Sequence, residues 1–274
     1  MKLLIATDME GISGVANWEH VTPGSNEWNR FRQVMTQDVN AAVDGAARGG
    51  ADQIVVTDGH ANGANILIEA LDPRARLISG SPTMFSMVQG IDQGVDAALF
   101  VGYHARHGSL SALLDHTWSS VRISNLWLNG RLCGEFGLNG AVCGSFGAPV
   151  LMVSGDQSVC AEALEWVPGI ETVQVKTALG RQSAELLPLQ EAQEKIRLGA
   201  QTAVTRFLAG KGPAPLVMQA PVTVTIEYMN THMADQASLL PGCERLDGRR
   251  IEFTADDMPA AYIKFRAAVN LVSL

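Results

Sequence analysis

Hydrophobic positions recur along this chain with two different periods, and the switches between them mark out its elements. Residues 2–7, Lys-Leu-Leu-Ile-Ala-Thr, form an almost continuous apolar run ended by Asp8 and the turn Gly11-Ile12-Ser13-Gly14, the pattern of a strand covered on both faces. Trp28, Phe31, Met35, Val39 and Val43 then fall three and four residues apart, and Gly49-Gly50 follows as a stop, so the spacing predicts an amphipathic helix over 26–48. Buried-strand runs return at 53–57, 97–101 and 149–153, the last leading into Ser154-Gly155-Asp156. Strands separated by crossover segments pair in parallel. Between the second and third strands, 66–71 reads as a short helix closed by Asp72-Pro73, and Ser81-Pro82 as an N-cap with proline at the first helical position ahead of Met84, Phe85, Met87 and Val88.

Asn129-Gly130 lies between Leu126-Trp127-Leu128 and Leu132-Cys133. Both residues tolerate positive φ, so the dipeptide predicts a hairpin, with Glu135 just beyond the returning strand. After about residue 160 the pattern loosens, with helical stretches near 158–166 and 189–209 and a Gly-Lys-Gly-Pro-Ala-Pro linker at 210–215. Strands follow at 222–226 and 250–253, then a closing helix over 257–272. The expected fold is α/β: a mostly parallel sheet with helices on both faces in an N-terminal lobe, 1–212, and a smaller α+β C-terminal lobe, 213–274, to which middle segments can contribute.

Composition narrows the function. A formal net charge of -8 over 274 residues, with Lys and Arg scattered, provides no basic stripe for nucleic acid. The apolar start is interrupted at Asp8, too early for a signal-peptide core, and no run reaches the roughly 18 apolar residues of a membrane span. A soluble cytoplasmic chain is expected. Cys133, Cys143, Cys160 and Cys243 lack zinc-ribbon or CxxC spacing and read as free thiols in a reducing compartment, Cys133 being nearest to Glu135.

The chemistry collects where the buried strands end: the first runs into Asp8 and Glu10, the second into Asp58 and His60, the third into His104. In an open parallel sheet these ends share one edge, where ligands bind. Residues two apart on extended chain point to one side, so Asp8 with Glu10, and Asp58 with His60, can face one point. Carboxylates and imidazoles without thiolate suit zinc or manganese. Asp58 reads either as a group orienting an imidazole or as a plain turn residue. His116 follows the third strand as a candidate acid-base group. His107 reads as a surface residue, and His20 and His232 as residues of polar loops.

These residues resemble a known family. Asp8-Met9-Glu10-Gly11-Ile12-Ser13-Gly14, Asp58-Gly59-His60, Gly102-Tyr103-His104-Ala105-Arg106 and Gly134-Glu135-Phe136-Gly137-Leu138-Asn139 are similar, in order and spacing, to motifs of the zinc-dependent D-aminopeptidases of the dipeptide-operon type. Ile78-Ser79-Gly80 and Phe85-Ser86-Met87-Val88 also match. The resemblance implies that Asp8 bridges two zinc ions, with Glu10 and His104 completing one and His60 and Glu135 the other, and that His116 is the catalytic histidine. It also implies a ring-like homo-oligomer. The chain departs from the family at Ala6 and Gly59, where serines are usual, and over 107–115.

The expected function is a dinuclear zinc aminopeptidase acting on short peptides, with N-terminal D-residues, in a site that also accepts manganese or cobalt. Two alternatives stand beside it. One is another two-metal amide hydrolase or a phosphoesterase, for which only Arg106 is placed to clamp a phosphate. The other is a non-catalytic, metal-dependent peptide-binding or assembly protein.

Overall fold

The computed structural model describes residues 1–273. Its main sheet has seven strands: β1 (Lys2–Thr7), β2 (Gln53–Asp58), β3 (Ala75–Ile78), β4 (Ala97–Val101), β7 (Val150–Asp156), β8 (Glu171–Gly180) and β9 (Ser183–Leu186), in the order β3-β2-β1-β4-β7-β8-β9. All neighbours pair in parallel except the β8–β9 hairpin. The chain leaves β1 towards β2 on one side and returns to β4 on the other. The order therefore reverses between β1 and β4, where the C-terminal strand edge opens a crevice.

Alternate residues of β1 feed two cores. Leu3 and Ile5 face α1 (Asn26–Gly49) and α4 (Leu189–Leu208), while Leu4 and Ala6 face α2 (Glu135–Ser145), α3 (Gln157–Trp166) and the second sheet, as the two-residue period of a strand requires. The helix predicted over 26–48 is α1. Ser25 caps it by accepting from the Trp28 N–H at 2.9 Å, and Gly50 closes it at φ +112°.

The second sheet is antiparallel, ordered β11-β12-β10-β5-β6 and built from β5 (Ile123–Leu128), β6 (Arg131–Cys133), β10 (Val222–Tyr228), β11 (Glu244–Arg245) and β12 (Arg250–Ala255). It draws its strands from two distant stretches of chain, because the Asn129-Gly130 hairpin adds β5 directly to β10. Asn129 and Gly130 have φ of +48° and +77°, as a two-residue hairpin turn demands. Helices α5 (Thr231–Ala237) and α6 (Met258–Asn270) accompany this sheet.

Two expectations need correction. No helix opens at Ser81-Pro82: that peptide bond is cis, and only a short 3-10 turn, Ser86–Val88, follows. The loosening after residue 160 conceals β8, where the buried Lys176 interrupts the apolar alternation. Glu135 lies just beyond β6, as expected, and is also the first residue of α2. Among the described residues, no helix is long and apolar enough to cross a membrane.

Candidate metal centre

Six side chains from five segments of the chain meet at the crevice between β1 and β4. Asp8 and Glu10 follow β1, His60 follows β2, His104 follows β4, His116 sits in the long connection before β5, and Glu135 opens α2. All are buried, at 9% exposure or less. Gly11 and Gly102 make the convergence possible. The Asp8 and Gly11 N–H groups donate to the Val101 and Gly102 carbonyls at 2.9 and 2.7 Å. A Cβ on Gly11 would lie 2.0 Å from the Tyr103 carbonyl, and one on Gly102, at φ +78°, would lie 2.3 Å from that of Asp8.

The imidazoles share one arrangement. His60 Nε2 is 2.7 Å from the Val21 carbonyl, His104 Nδ1 is 2.9 Å from that of Ala105, and His116 Nδ1 is 2.8 Å from that of Leu114. Only an N–H can pair with a carbonyl, so each ring has its second nitrogen free to accept. That nitrogen faces carboxylates. His60 Nδ1 is 3.2 Å from Asp8 Oδ1 and 3.1 Å from Glu10 Oε2, and His104 Nε2 is 3.4 Å from Asp8 Oδ2 and 3.1 Å from Glu135 Oε1. His116 Nε2 stands further off, 3.7 Å from Glu135 and 3.9 Å from Glu10, with its ring stacked on His104 at 4.0 Å.

Lone pairs thus confront lone pairs, and only a proton or a cation resolves that. Asp8 Oδ2, Glu10 Oε2 and His104 Nε2 are buried without a hydrogen-bond partner, which is costly unless something binds them. The ligand atoms of Asp8, Glu10 and His104 lie within 4.8 Å of one another, as do those of His104, His116 and Glu135. An imidazole with one nitrogen tied to a carbonyl and the other presented inward is the usual disposition of a metal-ligating histidine. The residues fit a divalent cation with nitrogen and oxygen ligands. The two oxygens of Asp8 face different histidines, as a bridging carboxylate requires. Glu10 lies against His60 and Glu135 against His104, and Asp8, Glu10 and His104 also converge, the set that the resemblance assigns to one ion.

The electrostatics follow from crowding in a buried site. Burial raises the Asp8 carboxyl to about 7, with Glu10 adding to the effect and His60 opposing it. Burial works against the Glu10 and Glu135 anions too, but the facing imidazoles, His60 and His104 foremost, hold both below the ordinary carboxylate value. The carboxylates correspondingly raise His60 and His104 against the cost of burying charge. His116 goes the other way: burial and then the neighbouring His104 push it down, keeping its imidazole neutral near pH 7.

The structure also places the remaining candidate residues. Asp58 does not orient the His60 imidazole; its oxygens accept from the Asn65 and Ile66 N–H groups at 2.6 and 2.8 Å and so hold the loop after β2. Arg106 lies 3.8 Å from Glu162 rather than poised for a phosphate. His107 is half-buried, His20 stacks on Phe31 at 4.2 Å, and His232 is exposed on α5. All four cysteines are free thiols, and Cys133 bonds the Gly134 carbonyl rather than the centre. Sequence reasoning missed Lys176, whose buried Nζ donates to the carbonyls of Glu10, Ile12 and Val15 at 2.6, 2.9 and 3.0 Å. It also missed Trp118, whose N–H donates to Glu135 Oε1 at 2.7 Å. The centre opens into a cavity of about 400 Å³ walled in part by Trp18, His116 and Trp118.

A family model described as D-aminopeptidase matches residues 1–267. A D-aminopeptidase of Bacillus subtilis (strain 168) is 36% identical over 265 residues, covering 96% of this chain and 94% of that protein. The solved structure of the Zn-dependent D-aminopeptidase DppA from Bacillus subtilis, described as a self-compartmentalizing protease, superposes with a TM-score of 0.94 at 33% identity, covering 99% of this chain and 97% of that one.

Proposed function

Given that the chain belongs to the D-aminopeptidase family, we propose that it is a zinc-dependent aminopeptidase that removes the N-terminal residue, of D configuration, from short peptides. Asp8, Glu10, His60, His104 and Glu135 would hold two zinc ions. The observation that carries this reading is the set of imidazole nitrogens and carboxylate oxygens aimed at one another without hydrogen-bond partners. Zinc bound there activates water and polarises the substrate carbonyl.

The chain's own groups supply the remaining steps. His116 Nδ1–H donates to the Leu114 carbonyl, which leaves Nε2 as the acceptor facing the cavity. That nitrogen takes a proton from the attacking water and returns it to the leaving amine, a transfer suited to an imidazole that is neutral near pH 7. Trp18 meets the His116 ring edge-on at 5.6 Å and fixes its plane. The relative's self-compartmentalizing description supports a ring-like homo-oligomer for this chain as well, with the cavities opening inward.

The test is metal content per chain together with hydrolysis of matched D- and L-alanyl peptides, before and after chelation. We expect two zinc ions per chain and chelator-sensitive cleavage of the D series. His116→Ala should retain zinc and lose activity by roughly 10²- to 10⁴-fold. Full metal loading with no cleavage of either series would overturn the assignment, and undiminished activity of His116→Ala would remove that residue from the chemistry.

A further inference from the structure

The cavity over the metal centre has carboxylates at one end and a single cation in its wall. Arg266 is the one Lys or Arg side chain among its described lining residues, in a chain where acidic residues outnumber basic ones 28 to 20. It lies on α6 one turn beyond Tyr262. The Tyr262 ring meets Trp118 edge-on at 5.8 Å, and the Trp118 N–H donates to Glu135. A short run of packed groups therefore links the metal centre to Arg266 along one wall.

The guanidinium is only partly used. Nη1 donates to the Thr83 carbonyl and, at 2.9 Å, to that of Met84. Nε and Nη2 make no hydrogen bond, and no carboxylate pairs with the group, among the described residues. Half-buried Arg106, Arg197 and Arg206 pair with Glu162, Glu194 and Glu171, whereas Arg32 and Arg122, like Arg266, have no carboxylate partner among the described residues, and of these three only Arg266 lines the cavity. Asn270, one turn further along α6, and Ser81, two residues before Thr83, line the same cavity and provide neutral donors. A half-used planar fork anchored by its other nitrogen is a pre-oriented receptor for a carboxylate.

We propose that Arg266 binds the free α-carboxylate of the peptide substrate. Resting on the aminopeptidase reading above, the assignment makes the substrate a short peptide with a free C-terminus, its scissile bond at the metal centre and its carboxylate on Arg266. The cavity volume, about 400 Å³, falls in the lower part of the small-ligand range. Arg266 is thus a specificity-determining residue that favours short peptides with a free C-terminus over blocked or long ones.

The experiment compares zinc-loaded enzyme acting on a D-alanyl tripeptide and on its C-terminal carboxamide. Wild type should favour the acid by roughly ten- to a hundredfold in kcat/KM, chiefly through KM, as expected for a charge-assisted hydrogen bond. In Arg266→Ala the acid-to-amide ratio should fall close to one, and Arg266→Lys, a point charge without the fork, should restore part of it. The wild-type ratio requires no variant, so it stands even if releasing Thr83 and Met84 disturbs the Arg266→Ala fold. Equal cleavage of acid and amide by wild type, or an equal loss on both in Arg266→Ala, would overturn the carboxylate assignment while leaving the aminopeptidase reading intact. Cleavage of neither by zinc-loaded wild type would overturn that reading and the assignment together.

Discussion

At the scale of single residues, the centre is organised by backbone carbonyls as much as by its own ligands. Val21, Ala105 and Leu114 each take one imidazole N–H, which sets the tautomer and leaves the other nitrogen for the metal or the substrate. Of the buried carboxylates outside the centre, Asp38 carries a testable pH dependence. Asp38 on α1 accepts from the Ser13 N–H at 2.8 Å, and burial raises its carboxyl from 3.8 to about 6 against the effect of that bond. Its folded-state pKa lies above the unfolded value. The associated stability is therefore present below about pH 4 and lost as pH rises through 6. We expect the unfolding free energy of wild type relative to Asp38→Asn, measured on chelated protein, to fall by up to about 3 kcal/mol between pH 4 and 7. A difference that stays flat over that interval would contradict the shift.

At the scale of elements, the loop after β1 depends on a strand far away in the chain. Lys176, fully buried on β8, holds the carbonyls of Glu10, Ile12 and Val15 with its three donors, so a cation fixes the turn that carries Asp8 and Glu10, two of the proposed metal ligands. Burial pushes its pKa down to about 7, opposed by Asp156, Asp38 and Glu10. Three carbonyls around one nitrogen nevertheless match the ammonium, which alone has three N–H groups. Lys176→Met keeps the bulk and removes the donors. It should destabilise the fold by about 3 kcal/mol, through carbonyls left unpaired in the interior, and weaken zinc retention, as read by thermal unfolding and by metal content after dialysis. Unchanged values of both would show that the turn holds its own shape.

At the scale of the whole molecule, the two sheets and six helices bring the site to one edge and leave large apolar side chains exposed elsewhere, among them Leu110 at 92% and Leu239 at 77%. The proposed ring-like assembly predicts a particle several times the 29.2 kDa of one chain in sedimentation velocity, unchanged by chelation if the interfaces lie away from the centre. A particle of single-chain mass at micromolar concentration would exclude that assembly.

Much of this could be read from the chain alone. Short apolar runs define β1, β2, β4 and β7 because strands covered on both faces need no polar alternation, and the three-to-four spacing of Trp28 to Val43 defines α1. The same logic places Asp8, Glu10, His60 and His104 on one sheet edge, since the ends of parallel strands must lie together. Local periodicity reports which face of a segment is buried, not what covers it. It could not show that β5 pairs with β10, nearly a hundred residues on, that the buried polar Lys176 belongs to a strand, or that Glu135 begins a helix. The roles of Val21, Trp118, Lys176 and Arg266 depend on contacts between segments remote in sequence. Only the packed structure decides those contacts, because they are set by register and distance in space rather than by any pattern within a segment.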